Sequence, residues 1–273
     1  MEFQGKIVLV TGVGPGLGRA CAEAFAKAGA KLVICDINQD TLAETQQFVE
    51  QHGAECLAVQ CDVSSSAQVA AMFEKLSQHF GGLDVLVNNA ALTPISELDA
   101  QRRTALYNYN AMPEPRRSLG FTSEITDEEW QRYWGVNVNG VFYCTREALK
   151  IMQPQRSGKI VNITSIAGMS SKSAHSPAYS ATKGAVIAFT KSVAYEVAGA
   201  NIFVNAMAPG GVAGPQFNAY LDQVGEEARN RLWQSVPLGR FGTLDEYAQT
   251  VLHLSAEHYL VGQVISPNGG IVI

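Results

Sequence analysis

Two residues of the segment YSATK, Tyr179 and Lys183, have types and spacing that could move a proton. They are four positions apart, so a helix would place them on one face. An ammonium group beside a phenol favours the phenolate and lowers the pKa of the tyrosine. Bringing that pKa from about 10 to near neutrality takes about 4 kcal/mol, at roughly 1.36 kcal/mol per unit. An isolated pair of this kind is usually a surface contact, so its interpretation depends on the rest of the chain.

A glycine-rich loop near the N-terminus, TGVGPGLG, could bind a nucleotide phosphate. Its glycines, Gly12, Gly16 and Gly18, allow close approach of the backbone to a ligand, and the following helix would offer free N–H groups. The loop lacks the Gly-Lys-Ser/Thr of a Walker-type loop, and Leu17 stands at the third glycine position of G-x-G-x-x-G. A tight strand-to-helix turn is the alternative interpretation, and the loop alone does not decide between them.

An acidic residue, Asp36, follows the apolar run KLVIC and lies 20 residues after Gly16. A carboxylate at that place can accept hydrogen bonds from the ribose hydroxyls of an adenosine, and it would repel a 2′-phosphate. Neither Pro15 nor Ile37, its expected neighbours, supplies a cation that would compensate. The pattern therefore predicts NAD rather than NADP, although a strand-end Asp can also serve only as a helix cap or turn residue.

The elements that would position these residues alternate along the chain. Strand-like apolar segments are KIVLV, KLVIC, CLAVQCDV, LDVLVNNA, KIVNITS and NIFVNAMAPG, and helical segments follow the glycine loop and cover 38–52, 67–80 and 179–197. Continuous apolar strands separated by helices are typical of a parallel sheet buried on both faces. We therefore predict a single α/β domain over residues 1–273, with a doubly wound, mostly parallel sheet that binds ligands at the carboxyl ends of its strands.

One segment, residues 92–125, interrupts this alternation. It contains three prolines, two Arg-Arg pairs and little regular periodicity. So long a connection in a compact domain is usually a functional lid or a mobile loop. Its four arginines are balanced by four acids, so the arginine pairs alone do not indicate an anion site. A surface excursion or a subunit contact is the alternative to a substrate lid.

The composition excludes several classes of function. The chain has 273 residues, 47% hydrophobic and 16% charged, and a formal net charge of −5, which argues against a nucleic-acid or anionic-membrane surface. We find no secretory signal and no apolar run long enough to span a bilayer. Five cysteines without C-x-x-C spacing indicate free thiols in a reducing compartment, so we expect a cytoplasmic protein. The histidines show no metal-ligand spacing, and we expect no metal.

Taken together, the motifs resemble those of the classical short-chain dehydrogenase/reductase family, over nearly the whole chain except residues 92–125. The resemblance is carried by TGVGPGLG, CDV, NNAA, VNVNG, NITSIAG, YSATK, APGGV, PLGRFGTLDEY and VGQVISPNGG. It implies a Rossmann fold and a bound nicotinamide dinucleotide. The expected cofactor contacts are Gly12, Pro15, Gly16, Leu17, Gly18, Asp36, Ile37, Asp62, Val63, Asn89, Ala90, Tyr179, Lys183, Pro209, Gly210 and Val212.

The resemblance also implies catalytic roles. Tyr179 would be the general acid/base, and Lys183 would hold the nicotinamide ribose and lower the pKa of Tyr179. Ser165 would hydrogen-bond the reacting oxygen, and Asn137 would place a water that relays protons from Lys183 to solvent. His175, in the loop before Tyr179, could touch substrate, although a loop histidine is more often solvated.

Two departures from the family pattern bear directly on the site. Gly214 stands where the family usually has a threonine on the nicotinamide carboxamide, so that contact would pass to backbone groups such as that of Val212. The segment 92–125 is about twenty residues longer than the resemblance leads us to expect, and it would emerge beside the active site. We expect it to wall the substrate pocket, with Tyr107, Tyr109 and Met112 available for apolar contact.

These residues predict an NAD(H)-dependent oxidoreductase that interconverts a secondary alcohol and a ketone. Alternatives within the same chemistry are dehydrogenation of a cis-dihydrodiol and reduction of a 3-oxoacyl thioester. The thioester reductases of the family more often use NADPH, and Asp36 counts against that. A catalytically silent NAD-binding sensor or scaffold is the alternative from another class, and the complete catalytic set argues against it. The resemblance further implies a homotetramer, with VGQVISPNGGIVI as a possible edge strand, and a small-molecule substrate as the partner.

Overall fold

Parallel strands form the centre of the molecule. The computed structural model describes residues 2–111, 115, 117–223, 226–256 and 259–273. Its main sheet contains β1 (Ile7–Thr11), β2 (Lys31–Asp36), β3 (Cys56–Gln60), β4 (Val85–Asn88), β5 (Gly158–Ile163), β6 (Ile202–Met207) and β9 (Val264–Ile265). The order is β3-β2-β1-β4-β5-β6-β9, and every neighbouring pair is parallel. Two short strands, β7 (Val212–Ala213) and β8 (Gly242–Thr243), pair separately.

Helices lie between the strands. They are α1 (Leu17–Lys27), α2 (Gln39–Gln51), α3 (Ser66–Phe80), α4 (Glu97–Ala111), α5 (Asp127–Trp134), α6 (Val141–Gln155), α7 (Pro177–Val197), α8 (Pro215–Gln223), α9 (Glu226–Gln234) and α10 (Leu244–Ser255). A π-helical segment, Gly135–Gly140, joins α5 to α6. Within the described residues, no helix is long and apolar enough to cross a membrane.

The core is divided between the two faces of the sheet. Alternate side chains of β1 point to opposite faces, so Val8 and Val10 join a cluster with α1, α2 and α10, whereas Leu9 joins one with α3, α6 and α7. Since both faces are buried, most side chains of the central strands are apolar, and a few polar ones are buried among them: Asn88, Lys159, Asn162 and Asn205. The structure confirms the predicted doubly wound parallel sheet.

The direction of winding reverses at the centre of the sheet. β1 lies between β2 and β4, so the chain proceeds outward from β1 in both directions. In such sheets a crevice opens where the carboxyl ends of the two central strands diverge, and ligands bind there. The glycine loop follows β1 and the segment NNAA follows β4, so both motifs meet at this crevice.

The segment 92–125 is not the irregular loop that its sequence indicated. It contains the fifteen-residue helix α4 and a 3₁₀ turn over Phe121–Glu124. The buried side chains of α4 are Asp99 and Arg102, so the face that packs inward is charged. A search for apolar periodicity therefore misses this helix. Met112, one of the expected substrate contacts, lies outside the described residues.

Candidate active site

The glycine loop is packed so closely that two of its glycines have no room for a side chain. Gly12 has a φ of +69°, and a Cβ there would lie 2.5 Å from Ala90 Cα. A Cβ on Gly18 would overlap the carbonyl oxygen of Gly12. By contrast, a Cβ on Gly16 would meet no atom of the described residues within 4 Å. Gly12 and Gly18 are therefore required by the turn itself, whereas the space beside Gly16 is open to a ligand.

Hydrogen bonds from the NNAA segment hold this loop in place. The Asn89 side-chain amide donates to the carbonyl oxygens of Thr11 (3.1 Å) and Gly12 (2.7 Å). The Thr11 hydroxyl accepts from the backbone N–H groups of Asn89 and Ala90, at 3.1 and 3.0 Å. The predicted contacts Asn89 and Ala90 thus support the loop directly.

The start of α1 suits a phosphate group. Gly16 is its N-cap and supplies no side-chain hydrogen bond, so the first N–H groups of the helix are not capped by that residue. Pro15 is exposed and Leu17 begins the helix. Open space, uncapped N–H groups and the helix dipole together fit a dinucleotide pyrophosphate.

Asp36 ends β2 and faces the same loop. Its Oδ1 accepts from the Asn38 N–H at 2.9 Å, which is the turn role that the sequence left open. Its Oδ2 lies 3.7 Å from where a Cβ of Gly14 would be, so the second oxygen faces the glycine loop. Ile37 is 64% exposed. The carboxylate therefore combines a turn contact with an oxygen that is oriented toward the proposed adenosine ribose.

The next strand end carries the predicted adenine contacts. The Oδ1 of Asp62 accepts from the Ser64 N–H and hydroxyl at 2.9 and 2.7 Å, and the Asp62 N–H donates to Gln68. Val63 is buried against Gly140, where a Cβ would lie only 2.8 Å from Val63 Cγ2. These contacts order the turn after β3.

Three of the predicted catalytic residues, Ser165, Tyr179 and Lys183, come together at the end of β5. Burial raises the pKa of the Tyr179 phenol, and hydrogen bonding by the Ser165 hydroxyl opposes this. Lys183 Nζ lies 5.7 Å from the Tyr179 ring centroid and donates to the Ile163 carbonyl at 2.9 Å. We expected Lys183 to lower the pKa of Tyr179. In the structure the largest effect on that pKa is burial, which raises it, because both side chains are buried together.

Lys183 responds to the same burial. Desolvation lowers its pKa to about 8, so the ammonium form is only moderately favoured at neutral pH. Ser165, the N-cap of a 3₁₀ turn over Ile166–Gly168, accepts from the Ala167 N–H at 3.1 Å. The same hydroxyl also hydrogen-bonds the Tyr179 phenol, since a serine hydroxyl both donates and accepts.

Asn137 lies in the π-helical segment and is fully buried. Its Oδ1 accepts from the Leu92 N–H at 2.8 Å, and its Nδ2 donates to the Leu92 carbonyl and the Thr182 hydroxyl, each at 3.1 Å. Both amide hydrogens are therefore used within the protein. Thr182 in turn donates to the Tyr179 carbonyl at 2.7 Å. The side chain thus joins the first residue of the 92–125 segment to the helix that carries Tyr179.

The remaining cofactor contacts follow β6. The Pro209 carbonyl accepts from the Ile166 N–H at 3.1 Å, which links this loop to the turn of Ser165. A Cβ on Gly210 would lie 2.9 Å from Asn268 Cα. We expected backbone groups such as that of Val212 to replace the missing threonine, and the Val212 carbonyl accepts from the Gly214 N–H at 2.9 Å.

Sequence reasoning missed a buried polar cluster beside Tyr179. The Tyr133 ring packs edge-on to the Tyr179 ring with centroids 6.2 Å apart, and the Tyr133 hydroxyl donates to Asp99 at 3.4 Å. His175 is 6% exposed rather than solvated, and its Nε2 accepts from Arg103 Nε at 3.4 Å. Tyr133 lies four residues before Asn137, so helical spacing could have indicated its position. No sequence signal pairs Arg103 with His175.

Comparisons with known proteins agree with this geometry. The family model described as "Enoyl-(Acyl carrier protein) reductase" matches residues 12–272. The chain is 34% identical over 275 residues to 3-oxoacyl-[acyl-carrier-protein] reductase FabG of Thermotoga maritima, covering 100% of both chains. It is 35% identical over 274 residues to the short chain dehydrogenase/reductase astE of Aspergillus oryzae, covering 99% of this chain and 96% of astE.

Solved structures give the same assignment. A crystal structure of actinorhodin polyketide ketoreductase with NADPH superposes with a TM-score of 0.83 at 30% identity, covering 98% of this chain and 97% of the other. Levodione reductase also superposes with a TM-score of 0.83 at 30% identity, covering 98% of each chain. Sequence, fold and arrangement of residues agree over nearly the whole length, and the chain belongs to the short-chain dehydrogenase/reductase family of oxidoreductases.

Proposed function

We propose that this protein is an NAD(H)-dependent oxidoreductase that interconverts a secondary alcohol and a ketone. The observation that carries the proposal is the meeting of Ser165, Tyr179 and Lys183 at the carboxyl end of β5, beside the crevice that the glycine loop borders. A bound nicotinamide dinucleotide would supply or accept the hydride. Gly16, the start of α1 and Asp36 would hold it.

In this proposal Tyr179 exchanges a proton with the substrate oxygen. Since burial raises the pKa of the phenol, Tyr179 is protonated at neutral pH and suited to donate to a carbonyl oxygen during reduction. Ser165 donates a hydrogen bond to the same oxygen and fixes its position. Lys183 binds near the ribose and returns a proton to Tyr179 after turnover. Asn137 positions these groups by fixing Leu92 and Thr182, and the proposed relay water would use its remaining acceptor capacity.

The preference for NAD over NADP rests on charge near Asp36. The Asp36 carboxylate would repel a 2′-phosphate, and neither Pro15 nor Ile37 is a cation. The nearby cation of α1, Arg19, donates to Thr45 and Glu44, each at 2.8 Å, and is therefore committed to α2. The actinorhodin ketoreductase was crystallised with NADPH. The experiment below therefore compares NADH and NADPH directly.

A second candidate function is the reduction of a 3-oxoacyl thioester. It is favoured by the names of full-length relatives, among them the 3-oxoacyl-[acyl-carrier-protein] reductases of Thermotoga maritima and Aquifex aeolicus, each 34% identical. The reaction uses the same hydride and proton transfers. The extra segment 92–125 beside Tyr179 distinguishes this chain within the resemblance and favours a different ketone.

We further propose a cytoplasmic homotetramer that acts on a small molecule. Family membership supports the tetramer, as do the exposed apolar side chains Phe142 on α6, Tyr195 on α7 and Ile265 on the edge strand β9. The five cysteines are free thiols, which suits a reducing compartment.

The test is a substrate screen with NADH and NADPH side by side. Secondary alcohols, cyclic ketones and a 3-oxoacyl thioester are assayed by the absorbance of the reduced nicotinamide, with wild type and Tyr179→Phe. We expect turnover with NADH, a loss of about 10³-fold or more in Tyr179→Phe, and retained cofactor binding. The matched control is Tyr195→Phe, which removes a 90% exposed phenol from the same helix. Cofactor binding without turnover of any substrate would indicate the sensor instead.

A further inference from the structure

The loop that follows β6 has few side chains with which to hold its own shape. Three of its six residues, 209–214, are glycines. The Pro209 carbonyl accepts from the Ile166 N–H at 3.1 Å, directly after Ser165, so the loop lies at the end of the crevice where proton and hydride transfer would occur. A glycine-rich backbone loses much conformational freedom when it is ordered, so contacts from other elements must fix this loop.

A phenol from α10 supplies one of these contacts. Tyr247 is 2% exposed, and its hydroxyl donates to the Gly211 carbonyl at 2.9 Å. The Gly242 N–H donates to the same carbonyl at 3.2 Å. The phenol can come so close because Gly242 has no side chain: a Cβ there would lie 2.8 Å from the Tyr247 hydroxyl oxygen. The Gly211 carbonyl is therefore held by two donors from outside its loop.

An aromatic ring packs against Gly211 as well. A Cβ on Gly211 would lie 2.6 Å from ring atoms of Phe241. The Phe241 ring in turn contacts the rings of Phe217 and Trp233, with centroids 4.6 and 5.3 Å apart. The backbone at Gly211 is thus confined both by packing and by hydrogen bonds, and Tyr247 contributes a side-chain hydrogen bond to it.

The Tyr247 phenol keeps its hydrogen near neutral pH. Burial, with a smaller contribution from the Glu246 carboxylate, raises the pKa of the phenol to about 12, against opposing effects of the backbone at Gly210 and Gly242. Because the hydroxyl is buried and its hydrogen is given to Gly211, it is not available as a proton donor to a substrate. Its role is to hold the loop.

The helix that carries Tyr247 is itself fixed at its start. α10 begins with a capping box that Thr243 and Glu246 form. Tyr247 belongs to the same core cluster as the buried face of α1, the helix whose N-terminus would bind the pyrophosphate. Tyr247 therefore connects the element at the pyrophosphate end of the proposed cofactor site with the loop at its nicotinamide end.

We propose that Tyr247 is a positioning residue for the nicotinamide end of the cofactor. Its hydroxyl fixes the Gly211 carbonyl and thereby orients the backbone of Val212, which we expect to contact the carboxamide because Gly214 provides no hydroxyl. The inference rests on the proposed function and concerns how the cofactor is held. Removing only the hydroxyl keeps the packing of the ring and releases one hydrogen bond to the loop, so the adenosine end is held as before.

The test compares the binding of NADH with that of ADP-ribose, which has the adenosine, the pyrophosphate and the second ribose but no nicotinamide. Titration calorimetry gives the Kd of each without turnover. In Tyr247→Phe we expect the NADH affinity to fall about fivefold, the ordinary effect of losing one hydrogen bond, and the ADP-ribose affinity to stay within about twofold. A merely structural effect would lower both affinities alike. Gly242→Ala, whose added Cβ would displace the hydroxyl, should lower the same ratio of NADH to ADP-ribose affinity.

Ser255→Ala is the matched control. Its hydroxyl is buried about two turns farther along α10 and bonds the Val251 carbonyl at 2.8 Å, so its loss should leave the affinity ratio unchanged. A ratio in Tyr247→Phe within about twofold of the wild-type value would overturn the inference, as would an equal fall in Ser255→Ala, and turnover of a ketone by wild type would then leave the proposed function intact. Failure of the folded wild type to bind NADH would overturn both together. Circular dichroism shows whether each variant is folded.

Discussion

The proposed cofactor side of the crevice, around the glycine loop, and the proposed substrate side, around His175, are built by different means. On the cofactor side, backbone packs on backbone: Gly12 and Gly18 have no room for a Cβ, and Asn89 bonds the loop carbonyls. On the substrate side, side chains pair with side chains: Arg102 bonds Glu129 and Arg103 bonds His175. The first side therefore leaves no room for a side chain at Gly12 or Gly18, and the second owes its shape to a few specific pairs.

This difference explains why the sequence predicts the structure of the glycine loop but not that of the region around His175. A backbone that passes within van der Waals contact of another backbone requires glycine, so the constraint appears as a residue type at a fixed spacing. An ion pair between two helices can be formed by many combinations of residues at many separations. Arg102 and Glu129 are 27 residues apart along the chain, and no sequence pattern predicts that they form an ion pair.

The largest effect is expected for Gly18→Ala on the cofactor side. Its Cβ would overlap the Gly12 carbonyl, and backbone atoms cannot yield without displacing the loop. We expect NADH affinity to fall about 100-fold and the free energy of unfolding to fall by about 1–3 kcal/mol. Calorimetric titration and urea unfolding measure the two. In Gly16→Ala, where the added Cβ meets no protein atom within 4 Å, only the affinity should fall. Wild-type affinity in Gly18→Ala would contradict the backbone account.

The substrate side predicts a dependence of stability on pH. The folded-state pKa of His175, about 4, lies below its ordinary value of 6.5, so between these values the unfolded chain binds the proton and the folded one does not. This contribution of His175 to the free energy of unfolding is therefore fully present above pH 6.5 and is lost as the pH falls toward 4, by about 3 kcal/mol. Urea unfolding at pH 7 and pH 4.5 measures it. His175→Gln should show a smaller loss, and an equal loss would mean that other groups dominate.

The cofactor preference tests the polar part of the cofactor side. Replacing Asp36 with Asn removes the charge that would repel a 2′-phosphate and keeps an acceptor for the Asn38 N–H. We expect the ratio of kcat/KM for NADPH over NADH to rise about 10- to 100-fold, since hydrogen bonds to charged groups contribute about 1.5–3 kcal/mol each. Asp40→Asn, an exposed acid four residues away, controls for a general charge effect. A ratio that does not move would remove Asp36 from the binding site.

The smallest effect is expected at Gly214, which directly precedes α8. Among the described residues, a Cβ there would have only Leu244 Cδ2 within 4 Å, at 3.9 Å, so a larger side chain fits. Gly214→Thr would supply the hydroxyl that the family pattern places on the carboxamide, and we expect the KM for NADH to fall about 2- to 10-fold. Gly214→Val has nearly the same shape without the hydroxyl. If both variants behave alike, the backbone already holds the carboxamide.

Much of the cofactor side was predictable because its signals are local. The strands were recognisable as apolar runs, since a sheet covered on both faces buries every side chain. Tyr179 and Lys183 were predicted to share a helix, and α7 carries both. The sequence predicted an irregular connection where the structure has the helix α4. That prediction was wrong because the inward-facing residues of α4 are Asp99 and Arg102, and they form no apolar stripe. The sequence left open whether His175 touches substrate or is solvated; in the structure it is buried, and its Nε2 accepts from Arg103 of α4.

The sequence by itself determined the family, the parallel sheet, the glycine turn and the identity of the proposed proton-transfer residues. Each of these depends on residue types at short, fixed spacing, where chain geometry leaves little choice. Only the tertiary structure decided which way burial shifts the pKa of Tyr179, that Asn137 joins Leu92 to Thr182, and that His175 is buried against Arg103. Those properties arise from contacts between distant segments, and solvation and pairing are set by what packs nearby in space rather than along the chain.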